Sequence, residues 1–245
     1  PNFYGGASQG ELSTDSETYN AIKRAPNAKQ IIKQLPLYWG DQPFTSGPTY
    51  VGSIVVFLFI FGLLFVKSEM RVWILLATIL SIMLAWGKNF MFLTDLFLEY
   101  FPGYNKFRAV SMILVIAEFT IPLLGFLALH KFLFDNVKSY NSSSLMSMSL
   151  SKENALKYAY YFVGGIALFF ALIPSLFFDF VGIQDINLEK NGWPVEALQS
   201  DRASLLSNDA WRSFIFISLA FITMWLFIRN KLKNTSVVIL IGFFI

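Results

Sequence analysis

The stretch Tyr158-Ala159-Tyr160-Tyr161-Phe162-Val163-Gly164-Gly165-Ile166-Ala167-Leu168-Phe169-Phe170-Ala171-Leu172-Ile173-Pro174-Ser175-Leu176-Phe177-Phe178 carries no charge. A helix needs about 20 such residues to cross a hydrocarbon core ~30 Å thick. Working outward, we place further apolar runs at about 50–66, 72–86, 109–129, 213–228 and 237–245, the last one cut short. The whole chain agrees with this reading. Of its 245 residues, 55% are hydrophobic, 18% aromatic and only 14% charged, where a soluble domain has about 25% charged residues. The expected fold class is therefore an all-α polytopic membrane protein with about six transmembrane helices and an outer interfacial helix.

The second and fifth runs would reach only ~24 Å at 1.5 Å per residue. Arg71 with Lys88, and Arg212 with Arg229, bracket them and could snorkel to the head groups, while Trp73, Trp86, Trp211 and Trp225 suit the interface. Residues 1–49 are polar and rich in turns. Within them Tyr19–Leu35 reads as a short basic amphipathic helix, with Ile22, Ile31, Ile32 and Leu35 sharing part of a face and Pro36 ending it. The Ser- and Met-rich stretch Asn141–Ser151 reads as a flexible linker. The chain opens Pro1-Asn2-Phe3, without a start methionine, and stops within an apolar run, so it reads as an internal piece of a longer protein.

Lysines and arginines set the orientation. Lys67, Arg71, Lys131, Lys138, Lys152, Lys157, Arg229, Lys231 and Lys233 crowd about 40 residues of alternate loops, whereas the opposite loops spread ten over about 105. The denser set is expected to be cytoplasmic, which puts residues 1–49, 87–108 and 179–212 outside. The net charge of +3 is too small to suggest nucleic acid as a partner. The chain has no cysteine, which removes disulfides and thiolate chemistry, and the lone His130 excludes a multi-histidine zinc site.

Against this background a few polar residues stand out. Glu118 lies in the middle of the third run, where an ionisable group costs at least ~2.5 kcal/mol, and is expected to face the bundle interior. It reads either as a functional acid or as a structural glutamate joining two helices. Pro122, four residues on, frees the Glu118 carbonyl from its helical bond. The stretch Asn89–Phe101 is too charged to span, yet apolar over most of a helical surface, with Asp95 and Glu99 on one polar strip. Two such carboxylates can hold a divalent cation, serve as acid and base, or form a solvated strip.

Lys88, Lys106 and Arg108 gather cations at both ends of that surface helix. They suit a lipid phosphate or plain snorkelling to anionic lipids. Asp41, in the turn Trp39-Gly40-Asp41-Gln42-Pro43, is a further outward acid or a turn-stabilising residue. The stretch 179–212, with Asp185, Glu189, Lys190, Glu196, Asp201 and Arg202, reads as a small ordered outer loop. Walker, Ser/His/Asp and Gly-rich dinucleotide patterns are absent.

Two segments carry a resemblance: Tyr38-Trp39-Gly40-Asp41-Gln42-Pro43-Phe44-Thr45-Ser46-Gly47-Pro48-Thr49-Tyr50-Val51-Gly52, and Trp86-Gly87-Lys88-Asn89-Phe90 continuing to Pro102-Gly103-Tyr104-Asn105-Lys106-Phe107-Arg108-Ala109-Val110-Ser111-Met112. They resemble the bacterial YfhO-type membrane proteins, which are similar to the GT-C glycosyltransferase superfamily. The likeness is strongest from about 36 to 129 and weak beyond 150.

It implies a multi-spanning inner-membrane enzyme that moves a sugar from a polyprenyl-phosphate carrier to a cell-envelope polymer or lipid on the extracytoplasmic face. On that reading Lys88, Lys106 and Arg108 neutralise the carrier phosphate, while Asp41, Asp95 and Glu99 position acceptor hydroxyls or a divalent cation. The catalytic acid of such enzymes sits in an earlier outer loop, so none is assigned here. The alternative class is a transporter or flippase of a lipid-linked substrate, with Glu118 as its coupling site.

Overall fold

The structure, a computed structural model, describes residues 12–37, 39, 50–106, 110–134 and 150–245. Ten α-helices run through these residues: α1 Glu17–Ile22, α2 Ala28–Ile31, α3 Ser53–Phe65, α4 Glu69–Ala85, α5 Met91–Tyr100, α6 Leu114–Phe134, α7 Lys152–Leu172, α8 Asp185–Lys190, α9 Val195–Ile228 and α10 Asn234–Phe244. No strand occurs among the described residues. The chain divides into two compact units. One is formed by residues 1–50 and 165–215, the other by 51–164 and 216–245.

Each of the six apolar runs contains a helix, but the helices differ in reach. Among the described residues, α6, α7 and α9 are long and apolar enough to cross a membrane, with α4 and α5 a fourth crossing if their bent pair is one span. The helices α3 and α10 are apolar but shorter. At 1.5 Å per residue the thirteen residues of α3 extend only ~20 Å. By length and composition, three helices among the described residues, or four with the bent pair, reach this standard, against about six expected runs.

In the larger unit α3 lies against α6 with glycine on both sides of the crossing. A Cβ on Gly62 would sit 3.0 Å from Leu124 Cγ and 3.1 Å from Ala128 Cβ, and one on Gly125 would sit 3.2 Å from Leu58 Cβ. Small residues at such a crossing let the backbones approach, the usual basis of helix association in lipid. The interface between α4 and α6 is joined by hydroxyls. Thr78 and Thr120 share a 2.7 Å hydrogen bond, and Ser81 donates to the Ile113 carbonyl at 2.7 Å.

Phe61, Phe65 and Phe132 form an aromatic knot at one end of α3 and α6. At that end Lys152 Nζ and Asn234 Nδ2 donate to the Phe132 and Leu133 carbonyls, occupying acceptors that the end of α6 leaves open. Between α7 and α9, Tyr160 stacks on Phe221 at 4.3 Å, and its hydroxyl lies 3.1 Å from that of Ser218.

Arg71 departs from its expected snorkelling. Its residue is buried, and Nη1 donates to the Leu63 carbonyl at the end of α3 over 3.1 Å. The cation thus serves as a C-terminal cap, where the helix dipole favours positive charge.

The smaller unit begins with α1 and α2, which replace the single helix expected over Tyr19–Leu35. Pro26 and the left-handed Asn27, at φ 65°, interrupt the path between them. Three of the four residues expected on the apolar face, all but Ile31, meet in one cluster. Ile32 is buried with Leu12, Leu37 and Leu198, and Ile22 and Leu35 pack against that cluster. Two further boundaries shift. The run 158–178 loses its helix after Leu172, ahead of Pro174, because the residue before a proline is biased away from α-helix. The expected loop 179–212 is largely helical, since no breaker interrupts α9 from Val195 to Ile228 and Pro194 stands just before its first turn.

Candidate functional site

The sequence points to the surface around α5, and its geometry starts at the end of α4. Gly87 takes φ 49°, a left-handed value that glycine adopts without strain. A single 3-10 turn, Gly87–Phe90, follows, and the chain after it is bent by 111° from α4. Thr94 holds the bend. Its hydroxyl lies 3.0 Å from the Gly87 carbonyl and 3.3 Å from that of Phe90, and Thr94 is the buried residue of α5.

Every other α5 position is exposed or partly so. Phe92 and Tyr100 are each 77% exposed, and Met91, Leu96 and Leu98 are exposed with them. Beyond α5, Phe97 stacks on Phe101 at 5.5 Å and meets Tyr104 edge-on at 5.6 Å. Gly103, at φ 86°, turns the chain into the short 3-10 segment Tyr104–Lys106. The apolar helix α5 is thus anchored through one threonine and bent away from α4.

The predicted site residues fall on this surface unevenly. Lys88, Asp95, Glu99 and Lys106 are all exposed, and none makes an ion pair or side-chain hydrogen bond among the described residues. Asp95 and Glu99 stand one helical turn apart on the same helix. No group of three or more Asp, Glu or His side chains that could hold a metal ion occurs among the described residues. A divalent cation on this pair would need further oxygens from elsewhere. Asp41 and Arg108 lie outside the described residues, as do the turn around Asp41 and most of the Asn141–Ser151 stretch.

Glu118 requires a correction. It is exposed on α6, beside exposed Val115 and Phe119, and does not enter the packed face that carries Ala117, Thr120 and Ile121. The interior polar groups at this level are Thr78, Ser81 and Thr120 instead.

Among the described residues, a buried ionic centre lies in the smaller unit, within the region read as an outer loop. Arg202 is almost wholly buried on α9. It grips the Asp185 carboxylate with both ends, Nη1 to Oδ2 at 2.6 Å and Nη2 to Oδ1 at 2.9 Å. The same nitrogens donate to the Phe180 and Pro36 carbonyls at 2.7 and 2.6 Å. One residue earlier, Asp201 accepts from the backbone N–H groups of Glu17 and Thr18, both at 2.9 Å, which caps α1.

Two adjacent charges on one helix therefore tie together α1, the strap at Pro36, the Phe180 loop and the start of α8. Sequence reading registered Asp185, Asp201 and Arg202 only as part of a mixed composition. These three stand among Asp179, Glu189, Lys190, Glu196, Asp209 and Arg212, so nothing local singles them out, and their pairing spans 17 to 184 residues. No protein family, no characterised protein and no solved structure matches the chain.

Proposed function

We propose that the chain is part of an integral-membrane glycosyltransferase of the bacterial inner membrane. It would transfer a sugar from a polyprenyl-phosphate carrier to a cell-envelope acceptor on the extracytoplasmic face. The observation that carries the reading is the bent α4–α5 pair. It presents exposed Lys88, Asp95 and Glu99 on an apolar, ring-rich surface, with exposed Lys106 a few residues beyond α5, within the segment whose wording resembles the YfhO-type proteins.

A polyprenyl-phosphate donor has a hydrocarbon tail, an anionic phosphate and a sugar. The apolar surface of α5 suits the bilayer level at which the tail ends. Lys88 and Lys106, with Arg108, would neutralise the leaving phosphate as charge develops on it. Asp41, Asp95 and Glu99 would orient acceptor hydroxyls or a divalent cation. The exposed position of Glu118 gives the transport alternative no interior coupling group on α6.

The test is transfer of radiolabelled sugar from a polyprenyl-phosphate donor by the purified protein in nanodiscs. Lys88→Ala combined with Lys106→Ala is expected to lower kcat at least about tenfold, a loss of about 1.4 kcal/mol of transition-state stabilisation. Absence of transfer from every polyprenyl-phosphate sugar overturns the reaction. Unchanged transfer by the double variant overturns the role of these lysines.

A further inference from the structure

The apolar run that contains α7 outlasts the helix. After Leu172 the backbone leaves the α conformation at Ile173 (φ −136°, ψ 65°), makes one 3-10 turn at Pro174–Leu176 and continues irregularly to α8. This segment stays apolar and outward-facing. Ile173, Leu176, Phe177, Val181, Ile183 and Ile186 are each between 47% and 68% exposed. Most of them, with Trp39 and Phe178, line a cleft of about 690 Å³. A soluble surface rarely carries an apolar patch of this kind without a partner.

The patch is held open by a rigid frame. Phe180 adopts φ 56°, a left-handed value that bulky residues seldom take, so the surroundings must impose it. Its ring is buried and meets Trp39 at 4.8 Å, while its carbonyl accepts from Arg202 Nη1. Two residues on, the Gly182 N–H donates to Asp185 Oδ2 at 2.8 Å, the oxygen that Arg202 also holds. The buried ion pair thus fixes the loop from beneath while its apolar side chains point outward.

Chain connectivity identifies what covers them. The helix α7 is long and apolar enough to cross a membrane, and Ile173 is the residue immediately after it. The segment therefore starts at the membrane–water boundary. It brings rings, as interfacial belts do, and a single exposed acid, Asp179, whose Oδ1 accepts from the Val181 N–H. Charge that would oppose entry is otherwise missing between Ile173 and Gln184.

We propose that residues 173–186 form a membrane-docking loop whose cleft beside Trp39 receives an acyl chain of the bordering leaflet. The assignment needs α7 to span the bilayer and is independent of any sugar chemistry. It seats the segment that follows α7 on lipid through a preformed apolar surface.

The absence of cysteine from the chain makes the test direct, because each introduced cysteine is a unique label site. Phe177→Cys, Ile183→Cys and Ile186→Cys would carry an environment-sensitive fluorophore in nanodiscs of acyl-chain-brominated phosphatidylcholine. Glu196→Cys, at an exposed position of α9, is the reference. Loss of most fluorescence at the first three sites, and little at the fourth, is expected. Equally weak quenching at all four overturns the proposal. The unsubstituted protein provides a check free of folding artefacts. Phosphatidylcholine with a diazirine in its acyl chain should label the peptide covering 173–186, and adducts confined to the spanning helices overturn the docking loop.

Discussion

The two compact units bury polarity in opposite ways. Around Arg202 the smaller unit encloses full charges, with four hydrogen bonds from the guanidinium and two backbone donors on Asp201. Between α3, α4 and α6 the described residues of the larger unit show glycines in close contact, hydroxyls bonded to carbonyls or to one another, and a buried cation, Arg71, that donates to a helix-end carbonyl. A buried charge is tolerable when a matching group and carbonyls surround it, and removing one partner is far worse than never having had the pair. Helices in lipid rely on tight packing and modest polar bonds. The comparison teaches that loss of a partner should damage the smaller unit, whereas loss of shape should damage the larger.

The largest effect is expected at Arg202. Arg202→Met strands Asp185 and frees the Pro36 and Phe180 carbonyls, a loss of about 3–5 kcal/mol. Hydrogen exchange should rise across residues 12–37 and 180–190, and replacing Asp185 by leucine in the same protein should restore much of the protection. An Arg202→Met protein with unchanged exchange would remove the charged half of the comparison.

Next comes Gly125→Leu, which would push side-chain atoms into Leu58 and the Val55 carbonyl. Overpacking of this kind costs about 1–3 kcal/mol. Reversible unfolding in bicelles should show it, with exchange in the smaller unit unaltered. The smallest effect belongs to Thr78→Val. Interhelical hydroxyl bonds in membranes average about 0.6 kcal/mol, and a cycle with Thr120→Val should return a coupling of that size. A coupling as large as the Arg202 effect would erase the distinction between the units.

How much of this was legible depended on the range of the interactions involved. Apolar run length located helices in all six places, and Asn89–Phe101 contains the helix α5 that its period suggested. These are local properties of composition and period. The end of α7 was also written locally, in Ile173-Pro174, but the apolar residues beyond it concealed the stop. The fate of Arg71 was not legible, because its carbonyl partner has no side-chain signature.

Least legible was the Arg202 centre. Nothing in residues 12–37 announces that Glu17 and Thr18 will donate to an acid 183 or more residues away. At the candidate site, the strip of Asp95 and Glu99 is exposed on α5, whereas Glu118 is exposed on α6 and not interior, since cost in lipid does not by itself decide which side of a helix packs.

The hydrogen bond from Arg71 to Leu63 bears on how the chain enters a bilayer. It closes over eight residues, between the end of α3 and the start of α4, and contacts this local form early. A helix of thirteen residues is short for insertion by itself, and an arginine near the head of the next helix would add to the difficulty. With the guanidinium already hydrogen-bonded to the end of α3, the two helices can partition together before α6 has been synthesised. Biogenesis then has a checkpoint at residue 71: in a cell-free translocon assay, Arg71→Ala should uncouple the insertion of α3 from that of α4.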